Sequence, residues 1–197
     1  SFLSRYGFFG VTRLLVDKFF TMLTLRNARL IRRPFDIRGK NKMNIGRGFT
    51  TGRYCRIEAH GENSHTKLII GDNCQINDSV HIEAGECISL GDNVLIASRV
   101  FITDLNHGIY SGSNPSHPDT VCRNRVLHTN PVYIESNVWL GEGVIVLPGV
   151  RIGKSSIVGA NSVVTKNIPD NSIAVGNPAK VIKEYNFEKN EWASVNG

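Results

Sequence analysis

The 197-residue sequence has no apolar run approaching the roughly 18 uncharged residues that a membrane-spanning helix needs. Its N-terminus lacks the charged start, apolar middle and small-residue cleavage site of a secretory leader, so the expected location is the cytoplasm. Cysteine is sparse. Cys55, Cys74, Cys87 and Cys122 form no CxxC pair, which argues against a zinc ribbon and a disulfide framework. They read as free thiols, with Cys74 and Cys87 acting as small hydrophobes within the core. Leucine is scarce after Pro34, with 7 against 34 isoleucines and valines, which favours strand over helix there. The aromatic-plus-glycine signature of an RNA-binding sheet is missing too. Positive charge is concentrated at one end: residues 1–33 hold seven basic side chains against Asp17 alone, and the remainder holds sixteen of each sign. A neutral body with one basic end argues against nucleic acid and for local contact with an anionic surface. With 41% hydrophobic and 20% charged residues, the chain has the composition of a globular protein with one substantial domain.

Between Phe2 and Leu25, Leu3, Tyr6, Val11, Leu14, Leu15, Phe19, Phe20 and Leu23 recur at helical spacing, with Arg5, Arg13, Asp17 and Thr21 on another side. Gly7 and Gly10 weaken the first turns, so the helix is expected to begin properly near Val11. Its apolar face is expected to pack on the rest of the protein or on a neighbouring subunit. The alternative is a peripheral membrane contact through residues 1–33, aided by Arg5, Arg13, Lys18, Arg26 and Arg29.

Past Pro34 a period of six takes over. Ile134, Leu140, Val146, Ile152, Val158 and Val164 form an unbroken series. An earlier run, Ile70, Ile76, Ile82, Ile88, slips by two and continues as Leu90, Ile96, Ile102, and a weaker start spans Ile31 to Ile57 with a similar slip. Gly71, Gly91, Gly141, Gly153 and Gly159 follow the large aliphatic directly, and Val80, Val94, Val100, Val138, Val144, Val150, Ser156 and Ser162 stand four after it. Two inward positions per six residues, with Gly or with Asn73, Asn93, Asn137 and Asn161 at corners, describe short strands joined by left-handed turns. Three hexads close a triangular coil, and roughly six such coils stack as a parallel β-helix.

The pattern vanishes for 29 residues, 103–131, and then resumes. So long an interruption is expected to be an extruded functional loop, here bearing His107, His117 and His128 and building an active-site wall. The expected organisation is a helix and linker over 1–33, a β-helix over 34–175 with the loop 103–131, and a tail over 176–197.

The hexads, the stretch NVWLGEGVIVLPGVRIGKSSIVGANSVVTKNIP and the closing AVGNPAKVI resemble the hexapeptide-repeat acyltransferases. The likeness is to the acetyl-CoA-dependent branch of galactoside, nodulation-factor, streptogramin and bacterial polysaccharide O-acetyltransferases. FITDLNHGIY together with RYGFFGVTRLLVDKFF is most similar to the O-antigen and capsule enzymes. This resemblance implies a left-handed β-helix, against the general right-handed rule, and a homotrimer with active sites between subunits. It implies His107 as general base, a role that suits imidazole because it exchanges a proton near neutral pH. Direct transfer without an acyl-enzyme is expected, since no nucleophile motif is present. Asp104, Asn106, Asn77 and Asp78 are implied at the carbohydrate acceptor, although Asn77 and Asp78 also read as corner residues. For acetyl-CoA the resemblance implies Trp139, Gly141, Gly159 and Ala160 along the pantetheine arm, with backbone N–H groups near Trp139 to Gly141 facing the oxyanion. Thr165, Lys166, Pro178, Lys180 and Lys183 fall around the adenine nucleotide. Relatives often carry arginine at positions 180 and 183 and a small polar residue in place of Glu142. No metal is expected.

The implied reaction is acetylation of a sugar hydroxyl in an O-antigen, a capsule or a precursor, at the inner face of the membrane. A free sugar, a sugar nucleotide or an antibiotic is the alternative acceptor. More remote are a zinc carbonic anhydrase, for which His81 and His107 lack a partner at the right spacing, and a non-enzymatic scaffold.

Overall fold

The computed structural model describes residues 2–61 and 65–195, so the outermost residues of the N-terminal segment 1–33 and of the tail 176–197 lie outside the described residues. The hexads fold as strands that visit three sheets in strict rotation. Leu68–Ile70 belongs to sheet 1, Gln75–Ile76 to sheet 2 and His81–Ala84 to sheet 3, and the next turn runs through Ile88–Leu90, Leu95–Ile96 and Phe101–Thr103. After the interruption the rotation resumes with Val132–Ile134, Trp139–Leu140 and Ile145–Val146, then Arg151–Ile152, Ile157–Val158 and Val163–Val164. Each strand pairs in parallel with its counterpart one coil away, so three sheets enclose a prism.

Register explains the spacing by six. Ile57, Ile82, Ile102, Val146 and Val164 align on sheet 3. Ile70, Leu90, Ile134 and Ile152 align on sheet 1, and Ile76, Ile96, Leu140, Val158 and Ala174 on sheet 2. All of these point inward and are buried, as are the valines and serines four positions on. The slips by two are longer strands: Ile88 and Leu90 both face inward within Ile88–Leu90, because a strand repeats every two residues. Cys55 and Cys74 are fully buried, and burial pushes both thiols up from their ordinary pKa. Cys87, expected in the core, is only half-buried.

The corner asparagines behave as expected, with φ of 57° to 62° at Asn73, Asn93, Asn137 and Asn161. The glycines after the aliphatic residues do not supply turns; none of Gly71, Gly91, Gly141, Gly153 or Gly159 has positive φ. They are needed because the next coil occupies the space of a side chain. A Cβ on Gly71 would lie 2.6 Å from the carbonyl carbon of Gly91, and one on Gly91 would lie 2.5 Å from the backbone nitrogen of Ser136.

At one end, helix α1 (Phe2–Thr24) is broken only at Gly7, whose φ of 64° is non-helical, so helix precedes Val11. Within the chain the expected apolar face does not dock on the prism as a unit: Tyr6, Val11 and Leu14 are half-buried, while Leu3, Leu15, Phe19 and Leu23 are exposed. The most buried residues of α1 are Asp17 and Thr21, at 2% and 1% exposure, whereas Phe8 and Phe9 are 72% and 87% exposed. Polar contacts dock it: Arg53 Nη2 lies 3.0 Å from Asp17 Oδ2, Arg33 N–H donates to Asp17 Oδ1, and Ile31 N–H donates to Thr21 Oγ1. At the other end, Lys180–Asn186 and Glu191–Ser194 fold back antiparallel on sheet 2 as a hairpin.

Gly71→Ala should lower stability by about 1–3 kcal/mol, the usual cost of overpacking. Asn93→Gly should change it by less than about 1 kcal/mol, because glycine accepts the same left-handed backbone. Urea denaturation of both variants checks this; equal effects would mean that coil contact is not what demands Gly71.

Candidate active site

Backbone pairing between coils lines up residues far apart in sequence along the edges of the prism. Gly52, Asn77, Ala97, Gly141 and Gly159 leave sheet 2 at the same corner, each donating its N–H to the coil above at 2.7–2.9 Å. This edge, between sheets 2 and 3, therefore gathers Asn77 and Asp78 with Gly141, Gly159 and Ala160. Trp139 stands just before it, 47% exposed on the outer face of sheet 2. The tail returns there as well, since Val163 N–H donates to Gly176 O and Ala179 N–H to Val163 O, which sets Pro178 beside the corner. Lys180 is exposed opposite Val175, and Lys183 is half-buried opposite Ile173.

The interruption leaves the prism at a different edge, where sheet 3 passes to sheet 1. It is not structureless. Leu105–His107 pairs antiparallel with Leu127–Thr129 as a ribbon, with Asn106 opposite His128 and His107 opposite Leu127. Beyond it, Ser116 and Ile109 bond to each other, and Arg125 donates to Tyr110 Oη at 2.9 Å and to the carbonyls of Thr120 and Pro118. Tyr110 Oη–H in turn donates to the His107 carbonyl. Asn106 and His107 are exposed on this arm. Thr165 and Lys166, exposed just after Val164, occupy the same edge.

Asp104 lies at the root of the arm and is fully buried. Its carboxylate accepts the N–H groups of Gly85, Glu86 and Cys87 at 2.6, 2.8 and 2.6 Å. Both oxygens are thus committed to backbone, and the expected contact of Asp104 with substrate is replaced by an anchoring role. Space under the arm is tight, since a Cβ on Gly85 would lie 3.0 Å from Thr129 and 3.1 Å from Leu105. The expected oxyanion donors need correction for the same kind of reason: Trp139 N–H is bonded to Ser156 O and Gly141 N–H to Val158 O. Those two donors serve the coil ladder.

Within one chain, then, Asn77, Asp78, Gly141, Gly159 and Ala160 share an edge with the tail, while Asn106, His107, Thr165 and Lys166 share another. The full width of sheet 3 separates them. Glu142, at the first edge, pairs with Arg99. His81, weighed with His107 as a zinc ligand, sits on sheet 3, where its Nε2 is 2.8 Å from a Glu58 oxygen and its ring stacks on Phe101. Among the described residues the one cluster of three potential ligands is Glu58, His60 and Glu83, and Glu58 already faces Arg38 and Arg56. It includes neither His81 nor His107.

Sequence reasoning missed two features. The Asp104 clamp depends on backbone N–H groups 17–19 residues away, which no motif advertises. A second is a cleft of about 540 Å³ under α1, lined by Arg5, Arg13, Arg32 and Arg53 beside Asn77 and Asp78.

The prism of hexads carries a histidine-bearing arm at one edge and a file of small residues at another, and the comparisons show this architecture to be that of an acetyl-CoA-dependent acyltransferase. The model described as bacterial transferase hexapeptide (six repeats) matches residues 131–166. A protein of Escherichia coli K12, provisionally named as the lipopolysaccharide biosynthesis O-acetyl transferase WbbJ, is 46% identical over 95% of each chain. A galactoside acetyltransferase solved in complex with coenzyme A is 30% identical, with a TM-score of 0.52 over 82% of this chain and 71% of that one. A variant of AntD, an N-acyltransferase from Bacillus cereus solved with dTDP-4-amino-4,6-dideoxyglucose and coenzyme A, is 26% identical, with a TM-score of 0.68 over 83% of each chain. The chain belongs to the hexapeptide-repeat family of bacterial transferases.

Asp104→Asn should cut acetyl transfer by about tenfold or more, because an amide offers one acceptor oxygen where a charged carboxylate gathers three N–H groups. Proteolysis should then cleave the arm first while the prism stays intact. A variant with unchanged turnover and unchanged protease sensitivity would remove the anchoring role.

Proposed function

We propose that this acyltransferase moves acetyl from acetyl-CoA to a sugar hydroxyl of a bacterial surface polysaccharide, O-antigen or capsule, or of its precursor. The observation that carries this reading is the division of the candidate residues between two edges. One copy's groove of Asn77, Gly141, Gly159 and Ala160 meets a second copy's arm with Asn106 and His107, in a homotrimer of left-handed β-helices. An outward apolar strip supports a subunit face: Leu95, Trp139, Ile157 and Ile173 are in register on the outside of sheet 2.

In that site acetyl-CoA lies along the small residues of one copy, whose Lys180 and Lys183 reach its phosphates and whose Pro178 flanks its adenine, while Lys166 and Thr165 come from the second copy, on the same edge as its arm. Trp139 covers part of the arm of the coenzyme. The acceptor hydroxyl is held near Asn106, Asn77 and Asp78. The His107 imidazole takes the hydroxyl proton as the sugar oxygen bonds to the thioester carbon. The tetrahedral intermediate then expels the thiolate, which recovers the proton as free coenzyme A. The hydroxyl lacks nucleophilicity until deprotonated, so the base matters more than a covalent intermediate. No metal takes part in this scheme.

The inverted orientation of α1 supports a further element, a contact of residues 1–33 with the inner face of the membrane. Its outward Phe8, Phe9, Phe19 and Leu23 face away from the prism, with Arg26 and Arg29 exposed beyond its end. Apolar side chains with basic neighbours suit an anionic bilayer surface, where membrane-linked glycan precursors are found. Among the described residues no helix is long and apolar enough to span the membrane.

His107→Ala should lower acceptor-dependent thiol release from acetyl-CoA by about 10²–10⁴-fold, with coenzyme affinity and melting temperature unchanged. Retained turnover would shift the base elsewhere. Replacing Phe8, Phe9 and Phe19 together by serine should abolish co-sedimentation with anionic vesicles while leaving the fold intact; undiminished sedimentation would dismiss the membrane contact.

A further inference from the structure

The cleft between α1 and the prism carries more positive charge than its neighbours neutralise. Arg5 and Arg13 project from the helix, Arg32 from the linker after it and Arg53 from the corner of a coil. Arg53 is balanced by Asp17 at 3.0 Å. Among the described residues, Arg5, Arg13 and Arg32 have no carboxylate within ion-pair distance. Arg5 lies over the Tyr6 ring, and Arg13 and Arg32 donate to the carbonyls of Arg33 and Thr51 at 3.2 and 2.7 Å. Each of those two guanidiniums has five N–H donors, so these bonds leave most of them unspent. One carboxylate lines the cleft, Asp78; its Oδ1 accepts the backbone N–H of Arg53 at 2.6 Å and it keeps its negative charge, so the cleft still has positive charge in excess. Arg5 and Arg13 are solvent-exposed, so water tolerates their unpaired charge; an anion entering the cleft would nevertheless meet three guanidiniums at once, and the planar fork of arginine matches phosphate oxygens two at a time.

Location narrows the ligand. Asn77 and Asp78 line the same cleft, and Asn77 stands in the corner file that leads through Ala97 to Gly141. Two strand spacings, about 10 Å, separate Asn77 from Gly141. A neutral sugar has no use for three guanidiniums at that distance from the acyl groove, whereas a sugar joined to a diphosphate does. Resting on the acceptor reading of this edge given above, we infer that the cleft binds the diphosphate of a diphosphate-linked sugar and so selects activated glycans over free sugars. The diphosphate belongs either to a nucleotide or to a polyprenyl lipid, and both present the same anion.

With coenzyme A saturating, so that its own site is filled, calorimetry should show inorganic pyrophosphate binding to the wild-type full chain. The double variant Arg5→Gln, Arg13→Gln should bind it about tenfold or more weakly, with Arg13→Lys intermediate. Acetylation is then compared for free glucose, uridine diphosphate glucose and polyprenyl diphosphate glucose in phosphatidylcholine vesicles. Wild type should favour one of the diphosphate acceptors over free glucose by at least about tenfold in kcat/KM, and that ratio should collapse in the double variant. Whichever diphosphate acceptor wins identifies the source. Equal use of free and diphosphate-linked glucose, or pyrophosphate binding indifferent to Arg5 and Arg13, overturns the cleft assignment while sugar acetylation stands. Absence of transfer to every sugar, with coenzyme bound, overturns the acceptor reading and the cleft assignment with it.

Discussion

Everything in this molecule hangs on the contact between one coil and the next. Parallel strands sit about 4.8 Å apart, and at that spacing the corners have no room for a β-carbon at Gly71, Gly91, Gly141 or Gly153. The same spacing places Ile82 over Ile57 and Leu140 over Ile96, so burying aliphatic side chains and satisfying backbone hydrogen bonds become one operation. A coil that drifted in register would lose both at once.

That rigidity turns the edges of the prism into rulers. Asn77, Gly141 and Gly159 are neighbours along one corner because the ladder demands it, whatever their separation in sequence. A 29-residue excursion can leave the stack and return without disturbing it. Sheet 3 accepts it by pairing Phe101–Thr103 directly with Ile145–Val146, two strands 44 residues apart. The departing chain is fastened by three N–H groups closing on Asp104. His107 thus stands on a short ribbon with a fixed root, and a histidine aimed from an anchored arm keeps its orientation better than one on a free loop.

The N-terminal helix inverts the habit of amphipathic helices. Packing one through Asp17 and Thr21 works only because Arg33, Arg53 and Ile31 N–H supply the partners that a buried carboxylate and hydroxyl require. The arrangement leaves the aromatic side outward and holds Arg5 and Arg13 above the corner that bears Asn77. One helix therefore shapes a charged cleft on its inner side and offers an apolar face on the other.

Much of the prism was legible before any coordinates. The period of six, the inward pair within each hexad and the left-handed asparagines are local properties, and a strand or a corner forms wherever its own few residues prefer it. The arm was visible as a gap and His107 as its candidate base through resemblance. Tertiary structure decided the rest. Whether Gly71 serves a turn or a close contact depends on what lies above it, and Asp104 is an anchor only because residues 85–87 bring their N–H groups to it. Helical periodicity could group Leu15 with Phe19 and Arg13 with Asp17, yet which group faces inward was settled by partners that arrive from Arg33 and Arg53. A one-dimensional pattern records what each segment can do; the faces it presents, and to whom, are fixed by contacts between segments distant in the chain.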